Sequence, residues 1–501
     1  MSNYDYTVVG TGPASYFLCL SILKKNPLAK IKIFEAGSKK NLLETNNFLF
    51  NQEGQNFNLK PTTFIGYGGT SNLWHNVIAP LDEEDFIERD WINNSGWPIR
   101  KADLDSYYKE VATELNFNYE LFDEKKHSET LINEKKKINF EKNIFENKYF
   151  LQLKKPFRAN MAFDKLKQKH NIDISLNHRV LKILVDTQGR TEAIEIGYKK
   201  QKYTTKVRSL IICCGAIETT KILLNSKITQ LKSSPLGLNF MDHPMGNAFQ
   251  MEYKEKKITR LYSDLDFSKN LKIKSAIKLT ANAQRKYKLP NNAFYLRPSF
   301  SKGIDNSTEK VKIQLLAIRE KLLKYQLPIT EGFKMLFNLN LARQIILYKT
   351  GFSAGHSLAD YMFVTEQTPN NKSKILLTGD YDDYGMQKIN INWQISETDI
   401  DSISNMYALC EKGVAQPNDA KFTINKNDIG WRSRLSSAAH HLGTARMGND
   451  VQQSVVNKNL KVHGIQNLYI SDGSVFPTAG NANSTYTVMA LSMRLGDFLE
   501  S

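Results

Sequence analysis

The chain is poor in cysteine, with four in 501 residues. That is too few for a disulfide framework. Cys213 and Cys214 are neighbours and cannot readily bridge each other, and Cys19 and Cys410 stand alone. No Cys/His spacing reads as a zinc site, so no metal is expected. There is no run of about 18 apolar residues, which argues against a membrane-spanning helix. The N-terminus has no signal-peptide pattern, because Tyr4 to Val9 already reads as a strand. A reducing cytoplasm is the expected compartment. Internal repeats and low-complexity tracts are also absent.

The remaining composition is that of a globular protein: 41% hydrophobic, 11% aromatic and 24% charged. Such a chain can bury a sizeable core. Basic residues outnumber acidic ones, 68 to 51, for a formal charge of +17. They are scattered. The tightest cluster, Lys135-Lys136-Lys137, lies among Glu134, Glu141 and Glu146, with no interleaved aromatics to stack bases. A solvated surface is therefore expected, with no nucleic acid partner. Peripheral contact with an acidic membrane is the second reading. The amphipathic stretch Phe333 to Phe352, with Leu336, Leu339, Ile346 and Leu347, could serve it. Packing of that stretch onto a sheet is the expected outcome.

The first chemistry lies at the N-terminus. Tyr6 to Val9 is a β-branched run, followed by Gly10-Thr11-Gly12-Pro13-Ala14-Ser15. Tyr16 to Leu23 reads as a buried helix, and Ile31 to Phe34 as a strand ending in Glu35. Strand, glycine turn, helix, strand and acid together describe a dinucleotide site. Gly10 permits the tight turn, and Gly12 lets the backbone approach a pyrophosphate. The helix N-terminus offers unpaired N–H groups to the phosphates, and Glu35 is placed to accept from a ribose diol. Ser15 replaces the usual third glycine or alanine and should tighten helix–strand packing. This pattern leaves NAD and FAD both open.

Further along, Gly66 to Asn76 is a second glycine-rich loop with Trp74 as an aromatic anchor. Gly96-Trp97-Pro98 is a turn before a helix beginning near Leu104. Val180 to Val185 and Ala193 to Ile196 read as paired strands around Gln188-Gly189. Leu210 to Cys214 reads as a buried parallel strand, turned by Gly215 to Glu218 into a helix from Thr219 to Leu224. Asn239 to Pro244 reads as a polar loop. Near the C-terminus, Ala439 to Gly448 precedes a strand at Asn467 to Ile470. Ser471 to Pro477 and the polar turn Gly480 to Thr485 then lead into a helix from Val488 to Leu499. Alone, His440 beside a Gly-Thr turn is more often structural than catalytic.

Taken in order, these motifs resemble the glucose–methanol–choline (GMC) flavoprotein oxidoreductases. Gly10 to Glu35 resembles the family's ADP-binding unit, and Gly68-Gly69-Thr70-Ser71 its second flavin-contacting loop. Gly215 to Thr219 with Leu223 to Ser226, Asp242-His243-Pro244, and Glu366-Gln367 with Pro369-Asn370 also match. The His440 block is similar to those of sugar-oxidising branches such as pyranose oxidase.

The resemblance implies an α/β fold: a Rossmann-like FAD-binding domain with an inserted α+β substrate domain containing an antiparallel sheet. The expected FAD-domain segments are 1–85, 177–245 and 440–501. Residues 86–176 and 246–439 are expected in the substrate domain. It also implies FAD, with Gly10, Gly12, Ser15 and Glu35 at the ADP half and Gly68, Gly69 and Ser71 in the second loop. Val180 would meet the adenine side, Asp472 and Gly473 the pyrophosphate and ribityl chain, and Ser484 and Thr485 the flavin ring. His440 would accept the proton of an alcohol or sugar hydroxyl, Asn483 would fix its oxygen, and hydride would pass to flavin N5.

Two departures matter. Pyranose oxidase tethers its flavin through a histidine two residues after the loop's serine, and Leu73 stands there here; noncovalent FAD is expected. Ser484 replaces a common proline. The electron acceptor stays open between oxygen, a quinone and a redox protein. The competing expectations are a non-oxidative flavin enzyme of the same family (lyase, isomerase or decarboxylase) and a non-catalytic flavin-binding or membrane-surface protein.

Overall fold

A computed structural model describes residues 3–42, 51–55, 62–123, 126, 137–254, 260–262, 265–266, 268–298, 358–422, 431–432 and 435–501. Phe333 to Phe352, Lys135 and Lys136 lie outside these residues.

A five-stranded parallel sheet runs in the order Leu468–Ile470, Leu210–Ile212, Tyr6–Val9, Ile31–Glu35, Ile172–Leu176. Its three central strands are almost wholly buried, as expected of a sheet covered on both faces. The strand Ile172–Leu176 is a correction to the expected boundary at 176, because it lies in the parallel sheet and not in the substrate domain. As an edge strand it is half-exposed and carries less apolar sequence, so it does not read as a sheet member.

The helix after the first strand spans Pro13–Lys25, three residues earlier than the apolar pattern suggests. Pro13 begins it, and proline suits a first turn because its missing N–H would have no helical partner there. This helix packs on the last one, Ser484–Leu499. A Cβ at Gly496 would lie 2.6 Å from the Ser21 side chain, and Ser21 Oγ donates to Met493 O at 2.7 Å. Tyr6 Oη donates to Glu500 at 2.8 Å. The two ends of the chain thus share one packed unit.

The second layer is a nine-stranded sheet among the described residues. Its main path runs Ala420–Phe422, Pro244–Tyr253, Leu358–Val364, Ala293–Pro298, Leu271–Leu279, Phe145–Leu153, Val77–Ile78. Every pairing in it is antiparallel. Val77–Ile78 falls within the 1–85 segment expected in the FAD domain, so that boundary is also corrected. Pro244, expected to close a polar loop, opens a ten-residue strand. The strands Arg179–Val185, Thr191–Tyr198 and Gln201–Lys206 form a separate antiparallel sheet.

Candidate active site

The two glycine-rich loops meet. A Cβ at Gly69 would come within 2.9 Å of Gly12 Cα. Gly68 has φ +97°, a left-handed conformation that favours glycine. Thr11 joins the loops to the acid: its Oγ1 donates to Glu35 Oε2 at 2.7 Å and accepts from Gly68 N at 3.0 Å. Glu35 also takes the Thr11 and Gly37 N–H groups. Its carboxyl is buried, and burial pushes its pKa up against those hydrogen bonds. Ser71 is occupied within the chain: Oγ donates to Gly68 O at 2.6 Å and accepts from Ala159 N at 2.9 Å.

At the same carboxyl end of the sheet, Asp472 ties two turns together. Oδ2 accepts from Gly215 N and Thr219 Oγ1, and Oδ1 from Ser474 N and Oγ. This carboxylate replaces the missing local cap of the helix Gly215–Ser226, which therefore starts four residues before the expected Thr219. Gly473 lies against the His440 segment; a Cβ there would sit 2.7 Å from His441 O. Gly443, at φ +87°, presses on Asn239, where a Cβ would lie 2.2 Å from the carbonyl oxygen. Only glycine fits that turn.

His440 and Asn483 come together: Asn483 Nδ2 donates to His440 Nε2 at 3.1 Å. Asn483 is also the N-cap of the helix Ser484–Leu499, and its side chain makes no cap hydrogen bond. Its amide reaches across to the imidazole. The backbone of His440 is held by Asp242, whose Oδ1 accepts from His440 N at 3.1 Å, Ala438 N at 3.2 Å and His243 N at 2.6 Å. Asp242 N in turn donates to Gln367 Oε1 at 2.9 Å, which also accepts from Trp393 Nε1.

Three imidazoles cluster here. The His243 and His440 rings meet edge to face at 5.0 Å, and His441 Nε2 lies 3.9 Å from Asp242 Oδ2. Burial pushes the pKa of His440 well below the ordinary value, and the neighbouring His243 and His441 push it further. Burial also lowers His243 and His441, against the pull of Asp242. Below about pH 6.5 the unfolded chain takes up protons that the folded chain refuses. Stability is therefore expected to fall as pH falls. The urea midpoint should be lower at about pH 5.5 than at about pH 7.5, and an unchanged midpoint would contradict the burial of neutral imidazoles.

Comparison with known proteins identifies the family. Residues 49–245 match the N-terminal profile of the GMC oxidoreductases and residues 369–492 match their C-terminal profile. The chain belongs to the GMC oxidoreductase family.

Among curated GMC relatives, 2-methyl-1,2-propanediol dehydrogenase of Mycolicibacterium austroafricanum is 32% identical over 149 residues, covering 29% of this chain and 25% of that protein. The fructose dehydrogenase large subunit of Gluconobacter japonicus is 26% identical over 133 residues, covering 26% of this chain and 23% of that one. These matches span about a quarter of each relative's length. Pyridoxine 4-oxidase from Mesorbium loti has the same fold, with TM-score 0.58 and 14% identity over 99% of both chains. Formate oxidase of Aspergillus oryzae RIB40 aligns with TM-score 0.57 and 16% identity, covering 99% of this chain and 98% of that one. The FAD-binding Rossmann-like unit with its antiparallel-sheet partner is thus the GMC fold.

The residues present fit the FAD that GMC proteins carry. A Cβ at Gly12 or at Gly215 would meet nothing within 4 Å, so both turns face open space. The helix Pro13–Lys25 has no acidic residue in its first turn and no side-chain cap. The Ser484–Leu499 helix likewise starts without an acid or a side-chain cap hydrogen bond. Both N-termini are suited to negative charge. Ser15 is buried, and its hydroxyl has no partner among the described residues. Ser484 is buried and Thr485 half-buried in the first turn of the last helix, and Val180 is buried in the strand Arg179–Val185.

Thr11 and Asp242 have roles that no local sequence pattern signals. Both act through contacts across 24 to 198 residues of chain. Asp242 was legible as part of a motif, but only its hydrogen bonds reveal what it does.

Proposed function

We propose that this GMC protein is an FAD-dependent oxidoreductase that oxidises the CH–OH group of a small alcohol or sugar. His440 accepts the hydroxyl proton at Nε2, and Asn483 holds the hydroxyl oxygen. The observation that carries this reading is the 3.1 Å approach of Asn483 Nδ2 to His440 Nε2. It sets a proton acceptor beside a hydrogen-bond donor, and an alcohol hydroxyl needs one of each. Burial keeps the imidazole neutral, so Nε2 carries a lone pair at neutral pH, and a bound hydroxyl would take the place of the Asn483 amide on it. Bound FAD would supply the hydride acceptor.

Gly10, Gly12 and the Pro13–Lys25 helix N-terminus would hold the FAD diphosphate, with Glu35 at the ribose and Val180 at the adenine side. Gly68, Gly69 and the Ser484–Thr485 turn would line the flavin end, with the backbone at Asp472 and Gly473 along the chain between. Ser71 and the Asp472 carboxylate, already engaged within the protein, act by holding those loops in shape. The substrate class rests on Asn483 and His440 and is supported by relatives named for a diol and a sugar.

Anaerobic mixing of the purified holoprotein with a panel of sugars and alcohols tests the reading. At least one is expected to bleach the flavin, and bleaching by none contradicts it. Air reoxidation then separates an oxidase from a dehydrogenase that hands electrons to a quinone or redox protein. Leu73 offers no nitrogen to a flavin methyl group, so the cofactor is noncovalent in this reading. Acid precipitation is expected to release all flavin to the supernatant, and flavin retained in the pellet would refute that.

A further inference from the structure

Lys148 lies within the strand Phe145–Leu153 and is buried. An apolar side chain would be the ordinary filling for such a position, and a buried ammonium is tolerated only where acceptors meet it. Two do. Nζ donates to Asp82 Oδ2 at 2.9 Å and to Asn481 Oδ1 at 2.6 Å. Asp82 does not depend on Lys148 alone for a counter-charge, because Lys278 on the neighbouring strand lies 3.3 Å from the same oxygen. Asn481 has no such second cation: among the described residues, Lys148 alone donates to its Oδ1.

Asn481 is fully buried and stands two residues before Asn483. Its Nδ2 donates to Asn291 Oδ1 at 2.9 Å, and Asn291 Nδ2 donates to Asp82 and Asp85 at 2.9 Å each. Both ends of the Asn481 amide are therefore fixed. Upstream, Thr478 Oγ1 donates to Asp85 O at 3.0 Å, and Gly480, at φ +63°, presses so close that a Cβ would lie 2.8 Å from Asp85 Oδ2. Downstream, Asn483 makes no cap hydrogen bond to its own helix, so no local bond sets the direction of its amide. Its 3.1 Å approach to His440 Nε2 then follows from where the turn is pinned.

We propose that Lys148 is a positioning residue for the oxidation: through Asn481, its ammonium sets the turn that aims the Asn483 amide at His440 and the substrate oxygen. Lys148 hydrogen-bonds to neither member of the pair and acts only through Asn481. The inference rests on the reading of His440 and Asn483 as the reacting pair.

Nitrogen NMR of the flavin-loaded full chain, labelled at its nine histidines, reads the positioning without turnover. Loss of signals in His440→Ala assigns those of His440. An imidazole nitrogen reports the hydrogen bond it accepts, so Asn483→Ala should move the Nε2 signal. Lys148→Met should move it in the same direction, and should move it no further when added to Asn483→Ala. Anaerobic flavin reduction by an alcohol should show the same coupling. Lys148→Met should slow it about 10–10²-fold, the cost of a displacement of about 1 Å. In the Asn483→Ala background it should slow it less than about twofold, because a residue acting through Asn483 has nothing left to aim. Should Lys148→Met fail to fold, Asn481→Leu breaks the same link while leaving the ammonium on Asp82, and the same results are expected of it. An unmoved His440 signal, or equal slowing in both backgrounds, would overturn the proposal. Failure of every alcohol to reduce the wild type would instead defeat the reading of the reacting pair on which this role depends.

Discussion

Replacing His440 with alanine is expected to slow anaerobic flavin reduction by about 10²–10⁴-fold, the range for a lost general base. The flavin should stay bound, because no cofactor-holding contact of the glycine loops passes through this side chain. The expectation follows from the chain of supports beneath the imidazole. Trp393 and Gln367 fix Asp242, and Asp242 fixes the backbone on either side of Ala439. Asn483 then meets Nε2 from the last helix. The ring is thus held neutral and aimed before substrate arrives. Stopped-flow reduction of wild type and variant by the same alcohol measures the effect. An unchanged rate would remove His440 from the chemistry.

Replacing Arg89 with methionine is expected to destabilise the protein by about 3–5 kcal/mol, because a buried carboxylate loses its partner. Arg89 grips Glu366 with two hydrogen bonds, 2.7 Å and 2.6 Å, and the side chains are 3% and 0% exposed. Burial pushes the Glu366 carboxyl up, and the Arg89 guanidinium overrides it and holds the pKa below the usual range. Asp85 lies beside this pair, raised to about 7 by burial and by the carboxylates of Asp82 and Glu366. Without Arg89 the repulsion among these acids grows. The double variant Arg89→Met with Glu366→Met should recover only part of the loss, because an apolar pair can replace a buried ion pair but leaves the buried Asn291 N–H without its acceptor. Urea midpoints of the single and double variants check this. A double variant no more stable than the single would contradict it.

Some of this was legible in the residues themselves. The strand, Gly10-x-Gly12 turn, helix and Glu35 lie within thirty residues, and each step has a local cause. The pairing of His440 with Asn483 came only from resemblance, because it is a contact between segments 43 residues apart. Three helices begin before their apolar patterns, at Pro13, Gly215 and Ser484, and at Gly215 the first turn is set by the distant Asp472 rather than by a local cap. The strand Phe145–Leu153 escaped the pattern for another reason. Lys148 stands in its middle, 6% exposed, with its ammonium on Asp82 at 2.9 Å and on Asn481 at 2.6 Å. A buried lysine breaks the apolar alternation that marks a strand. The same contact secures the turn that carries Asn483, so the residue that hid the strand also helps to build the site.

The most direct test of the account is anaerobic reduction by a substrate carrying deuterium on the carbinol carbon. A sugar or alcohol from the panel should bleach the flavin, and deuteration should slow that bleaching several-fold, because breaking of the C–H bond is the chemical step. Failure of every sugar and alcohol to bleach a flavin that dithionite still reduces would contradict the central claim.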